Sequence, residues 1–152
     1  MTARALVIGV GQPWRGDDAF GLEVAERLRG ALPAGVDVIT HPGEGTGLMD
    51  AWEGYARVVV IDAARGGAPI GTMHRFDCRA QTLPTGFFRY STHAFGLAEA
   101  VETARALGRL PPALVVHAVE GAVFTLGLGL SPEVAARVDQ VVDAVRGELR
   151  RD

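Results

Sequence analysis

Arg57-Val58-Val59-Val60-Ile61-Asp62-Ala63-Ala64 is the stretch from which the fold can be read. Its four consecutive β-branched residues leave no polar face. A strand made of them must be covered on both sides, as parallel strands between helices are. Similar runs occur at Ala5–Val10, Val36–Thr40 and Ala113–Val119. Helical spacing lies between them. Leu22, Ala25, Leu28 and Leu32 share one face, and Gly30 and Pro33 mark where that helix stops. A shorter helix is expected from Leu48 to Tyr55. A third is expected from His93 to Leu107, with Leu97, Val101, Ala104 and Leu107 on one face and Gly108 as its stop. Ser131-Pro132-Glu133 supplies an N-cap with proline at the first helical position, opening a last helix through Val134, Val138, Val141, Val145 and Leu149. Gly66 to Asp77 reads as a turn leading to an edge strand around Thr72 to Phe76. Alternating strands and helices predict one α/β domain over residues 1–152, three-layered α/β/α, with a twisted, mainly parallel sheet. Such sheets bind ligands beyond the carboxyl ends of their strands, where strand order reverses.

Composition narrows the function. A chain of 152 residues can bury roughly two-thirds of its unfolded surface in a single core. Its net charge of −3 comes from interspersed signs, and the basic run Arg146 to Arg151 is broken by Glu148, which argues against nucleic acid as a partner. No segment approaches the roughly 20 apolar residues of a membrane span, so no membrane partner is expected. The single cysteine, Cys78, suits a reducing compartment, and the amino terminus runs straight into a strand. A cytoplasmic monomer is the expectation.

The loop after the first strand reads Gly9-Val10-Gly11-Gln12-Pro13-Trp14-Arg15-Gly16-Asp17-Asp18-Ala19-Phe20-Gly21. A dinucleotide loop would carry glycine where Trp14 stands, and Pro13 removes an N–H that a phosphate cradle uses. What remains is a pair of acids ahead of a helix. One can cap that helix while the other projects outward. Asp62 sits where a buried strand emerges at its carboxyl edge. His93 lies at the expected start of the third helix, where a helix N-terminus would favour the neutral, metal-binding imidazole. Asp18, Asp62 and His93 are thus delivered to one rim. Two carboxylates and an imidazole suit a borderline divalent ion such as Zn²⁺ or Ni²⁺. Asp17, Glu44 and Glu120 lie near the same edge as candidates for supporting roles. Cys78 has no local partner that would activate a thiol, and Ser91 lacks a nucleophile elbow.

An ordered series of motifs now adds a likeness. It comprises Gly9-Val-Gly11 with Arg15-Gly-Asp-Asp18 and Gly21, then Val60-Ile-Asp62-Ala63, then Gly71-Thr72 after Pro69. Ser91-Thr-His93, Leu110-Pro111, Glu120-Gly121 and Gly127-Leu-Gly129-Leu-Ser131-Pro132 complete it. Over nearly its whole length the chain resembles the hydrogenase maturation proteases. These endopeptidases cut a C-terminal extension from the large subunit of [NiFe] hydrogenases after nickel insertion. The resemblance implies a five-stranded twisted sheet flanked by helices, with Asp18, Asp62 and His93 as the catalytic and metal-binding set. It also implies a large-subunit precursor as partner and a divalent ion at the site: nickel carried by the substrate, for which zinc or cadmium could stand in. Many members have Glu where this chain has the shorter Asp18. Many also have Asp-Gly-Gly-Thr where this chain has Gly43-Glu44-Gly45-Thr46-Gly47, a loop suited to selecting the partner. The residues leave the chemistry open between metal-activated water and aspartic-type catalysis by Asp18 and Asp62, with Asp17 or Glu44 as a possible base in the former. A non-enzymatic nickel-binding accessory protein and a small-molecule metallohydrolase are the alternatives.

Overall fold

Strand β3 (Arg57–Ala64) is the middle strand of a five-stranded sheet ordered β2-β1-β3-β5-β4. The others are β1 (Ala5–Val10), β2 (Val36–His41), β4 (Met73–Asp77) and β5 (Ala113–Glu120). All pairings are parallel except β4 with β5 at the edge. The computed structural model describes residues 4–84, 86–88, 93–127 and 129–150. Val58 to Ile61 are completely buried, as a strand without a polar face requires.

Side chains on a strand alternate between the faces of the sheet, and this divides the core in two. Val58, Val60 and Ala64 join Leu6, Ile8 and Val10 under Leu48, Trp52, Leu97 and Val101. Val59, Ile61 and Ala63 join Val7 under Phe20, Val24, Leu28, Val138, Val141 and Val145. Helices α2 (Gly45–Trp52) and α3 (Leu97–Ala106) therefore cover one face, and α1 (Phe20–Leu28) and α5 (Val138–Leu149) the other. Each such aliphatic side chain contributes about 1.5–3 kcal/mol by its burial. Because β1 has β2 on one side and β3 on the other, strand order reverses between β1 and β3, and the loops after these strands open onto one crevice.

The helix boundaries differ from the sequence expectation for local reasons. Helix α3 begins at Leu97 and not at His93, because Glu99 turns back to accept a hydrogen bond from Gly96 N at 2.8 Å and closes the N-terminus there. His93 therefore stands in the preceding loop, away from the helix N-terminus expected to favour its neutral form. Helix α2 starts earlier than expected, since Glu44 caps it through the N–H groups of Thr46 and Gly47, both at 2.8 Å. The last helix is two: α4 (Pro132–Ala135) ends before Arg137, whose guanidinium donates to Gly71 O at 2.9 Å, and α5 follows. Glu148, which breaks the basic run, is buried and accepts a bidentate pair from Arg75. Among the described residues no helix is long and apolar enough to cross a membrane.

Candidate active site

The loop between β1 and α1 folds back beneath the end of its own strand. Such a reversal needs the backbones to touch, and glycines permit it. A Cβ on Gly9 would strike the Gly21 carbonyl, and one on Gly21 would strike the carbonyls of Ile61 and Val10, so α1 packs directly on β1 and β3. A Cβ on Gly11 would overlap the carbonyl of Asp18, so that carbonyl is pressed against the loop as it leaves β1. Residues Gly16–Ala19 form a 3₁₀ turn, which brings Asp18 round to the strand ends.

The two neighbouring acids then take separate tasks. Asp17 is fully buried and holds another loop. Its carboxylate accepts from Ala122 N (2.7 Å), Val123 N (3.0 Å), Ser131 N (2.6 Å) and Ser131 Oγ (2.7 Å). Burial alone would raise its pKa, but these hydrogen bonds outweigh it and hold the carboxyl below the usual range. Neither acid caps α1 through its side chain. Asp18, only 6% exposed, instead lines a recess together with Asp62 of β3, 3% exposed, and half-buried His93. Val10, Gln12, Arg15, Pro42, Gly43, Phe88 and Leu97 complete its walls. Three elements far apart in sequence thus converge at the point where strand order reverses.

The recess holds about 30 Å³, room for an ion or a water or two and far below the 300–1,000 Å³ of typical small-molecule pockets. A second hollow of about 180 Å³ shares Phe88, His93 and Leu97 with it and continues past Gly96 towards Glu99. The two together make a groove with His93 at the junction. A groove accepts a chain laid across it.

The supporting candidates lie elsewhere. Neither Glu44, which caps α2, nor Asp17 lines the recess. Glu120 is buried on the other side of the β5 end, accepting from Gly66 N and lying 3.1 Å from His74 Nε2. Ser91 and Thr92 of the quoted motif fall outside the described residues, as does Leu128. Sequence reasoning missed Gln12, Arg15 and Phe88 as lining residues. It also missed His41, whose Nδ1 accepts from Gly43 N at 2.9 Å. Burial holds the His41 imidazole below its usual pKa, with Glu44 opposing and His93 adding to the effect, so His41 is neutral near pH 7. Burial also pushes the Cys78 thiol up to about 12, which removes it as a nucleophile.

The donor types suit a borderline divalent ion. Among the described residues, however, no three His, Cys, Asp or Glu side chains stand close enough to hold one. Asp18, Asp62 and His93 share walls without forming a closed cage.

Comparison with known proteins gives a consistent likeness. The sequence profile of the hydrogenase maturation proteases matches residues 22–148. The hydrogenase 2 maturation protease of Escherichia coli is 30% identical over 152 residues, covering 97% of this chain and 91% of that protein. The hydrogenase expression/formation protein HupD of Rhodobacter capsulatus is 30% identical, covering 97% of this chain and 71% of its own. The solved structure of the hydrogenase maturating endopeptidase HybD from E. coli superposes with a TM-score of 0.81 at 26% identity, over 97% of this chain and 92% of that one.

Proposed function

The chain belongs to the hydrogenase maturation protease family and is a hydrogenase maturation endopeptidase, and we propose that it removes the C-terminal extension of a [NiFe] hydrogenase large-subunit precursor once nickel has been inserted. The observation that carries this reading is the convergence of Asp18, Asp62 and His93 on one recess at the head of a groove. A nickel site presented by the precursor would meet these three side chains as extra ligands or hydrogen-bonding partners, and the chain leading away from it would lie along Phe88, His93 and Leu97.

The chemistry follows from the donors. Nickel supplies a docking charge and can polarise a nearby carbonyl. A carboxylate, Asp18 or Asp62, takes a proton from the attacking water and returns it to the departing amine. His93, at the junction, orients the scissile segment. Asp17, Glu44 and Glu120 support this set indirectly, by fixing the β5–α4 loop, the α2 N-terminus and the β3–β4 turn. The volume of the recess disfavours a small-molecule metallohydrolase. A cytoplasmic monomer acting on a protein substrate completes the proposal.

The test is an intact-mass measurement on a nickel-loaded large-subunit precursor mixed with this protein. Loss of a C-terminal peptide supports the reading, including when free metal is chelated. Unchanged mass throughout a panel of [NiFe] precursors would leave a non-enzymatic accessory role as the better account.

A further inference from the structure

Cleaving an amide requires a place for negative charge. Water oxygen adds to the carbonyl carbon, the π pair moves onto the carbonyl oxygen, and the water proton passes to a carboxylate. The adduct then re-forms C=O, the C–N bond breaks, and the proton goes to the departing nitrogen. At this site the charge would build up in a recess whose walls include Asp18 and Asp62, one of which has just taken the water proton. The substrate's nickel offsets part of that charge, and a donor aimed at the oxygen itself would hold the rest.

We infer that Arg15 is that donor: a catalytic residue whose guanidinium binds the oxyanion of the scissile carbonyl. The inference rests on the endopeptidase reading above. Arg15 is the one permanently cationic side chain among the described residues lining the recess. Arg4, Arg27, Arg29, Arg75, Arg105 and Arg109 each pair with a carboxylate. The Arg15 side chain makes no hydrogen bond or ion pair with any described residue, although it is half-buried beside two acids. An arginine that lines a recess with two carboxyl groups and pairs with none of the described residues is available to substrate.

Its backbone is held from both sides. Arg15 bridges to Gly127 in parallel register, Gly16 N donates to Gly127 O at 3.1 Å, and Gly127 N donates to Trp14 O at 3.0 Å. Gly16 has φ +57°, and a Cβ there would come within 2.6 Å of Val123 O, so only glycine lets the two loops lie this close. The Asp17 carboxylate pins the same two loops one residue on. A donor on a clamped backbone needs little reorganisation when charge develops, which is where such groups gain their effect. The planar fork of arginine also offers two parallel N–H groups to one carboxyl-like oxygen set, which lysine cannot.

The test uses the nickel-loaded precursor that wild type cleaves, with single-turnover rates at saturating enzyme and separate measurement of precursor binding. Arg15→Gln is expected to cut about 10²–10³-fold more slowly, the loss seen when one oxyanion donor is removed, with precursor Kd within about threefold of wild type and an unchanged melting temperature. Arg15→Lys, which keeps the charge and loses the fork, is expected between the two. A rate for Arg15→Gln within threefold of wild type would overturn the inference, and so would a defect lying wholly in Kd. Should Arg15→Gln fail to fold, Arg15→Lys decides: a wild-type rate overturns the inference and a slowed rate with unchanged Kd supports it. Wild type that leaves precursor mass unchanged overturns the endopeptidase reading itself, an outcome distinct from a cleaving wild type with an equally active variant.

Discussion

Asp17 and Ser131 are 114 positions apart in the chain and joined twice, Ser131 N to Oδ1 at 2.6 Å and Ser131 Oγ to Oδ2 at 2.7 Å. With Ala122 N and Val123 N on the same carboxylate, one side chain fastens the β5–α4 segment against the turn that carries Asp18. Asp17 and Asp18 should therefore separate cleanly by mutation. Asp17→Ala removes four part-buried hydrogen bonds at once and is expected to cost about 3 kcal/mol of stability. Asp18→Asn is expected to abolish cleavage while the unfolding midpoint moves little. Urea unfolding followed by circular dichroism, alongside the mass assay, measures both.

The same carboxylate sets an acid limb. Its pKa lies below the ordinary aspartate value in the folded state, so the unfolded chain takes up the proton first as pH falls. The stabilisation it provides is complete above that value and is lost as pH drops through the lower, folded-state pKa. Unfolding free energy should decline below about pH 4. Asp17→Asn should flatten that decline, whereas an unaltered slope would assign the acid limb to other carboxylates.

Helix α1 sits on the sheet through Gly9 and Gly21, where added methyl groups would collide with backbone carbonyls. Gly9→Ala or Gly21→Ala is expected to destabilise by about 3 kcal/mol, at the upper end of overpacking costs. Gly30→Ala, where nothing lies within 4 Å but φ is +73°, should cost only about 1 kcal/mol. Equal effects at Gly9 and Gly30 would remove close packing as the reason for the motif.

Buried Cys78, its thiol pushed up to about 12, should resist iodoacetamide in the folded protein and react fully in denaturant. Cys78→Ala should leave cleavage at the wild-type rate. Rapid native-state alkylation accompanied by loss of cleavage would restore a thiol mechanism.

Local patterns reveal β3 and Asp62, because a strand buried on both faces has an unmistakable composition, although the strand runs two residues past that acid, to Ala64. Asp18 is legible only as one of two acids. Which of them faces the recess depends on Ser131 and Val123, more than a hundred residues away. The start of α3 is hidden for a similar reason. Ser91-Thr92 imitates a cap, while the working closure is Glu99 on the side-chainless Gly96. Arg15 stands in the Arg15-Gly-Asp-Asp18 motif without a legible role, since an arginine in a polar loop is ordinary until none of its described neighbours is seen to pair with it. The place of Glu120 away from the recess likewise arises from contacts with Gly66 and His74 that no spacing encodes, whereas the capping of α2 by Glu44 is local.

The proposed function requires nickel in the precursor to be read jointly by Asp18, Asp62 and His93. The direct measurement is the intact mass of nickel-loaded and nickel-free precursor after incubation with wild type, Asp18→Asn, Asp62→Asn and His93→Ala. Wild type should shorten the loaded precursor alone, and each variant should leave both forms at full length. Equal cleavage of the nickel-free form, or wild-type cleavage by any of the three variants, would contradict it.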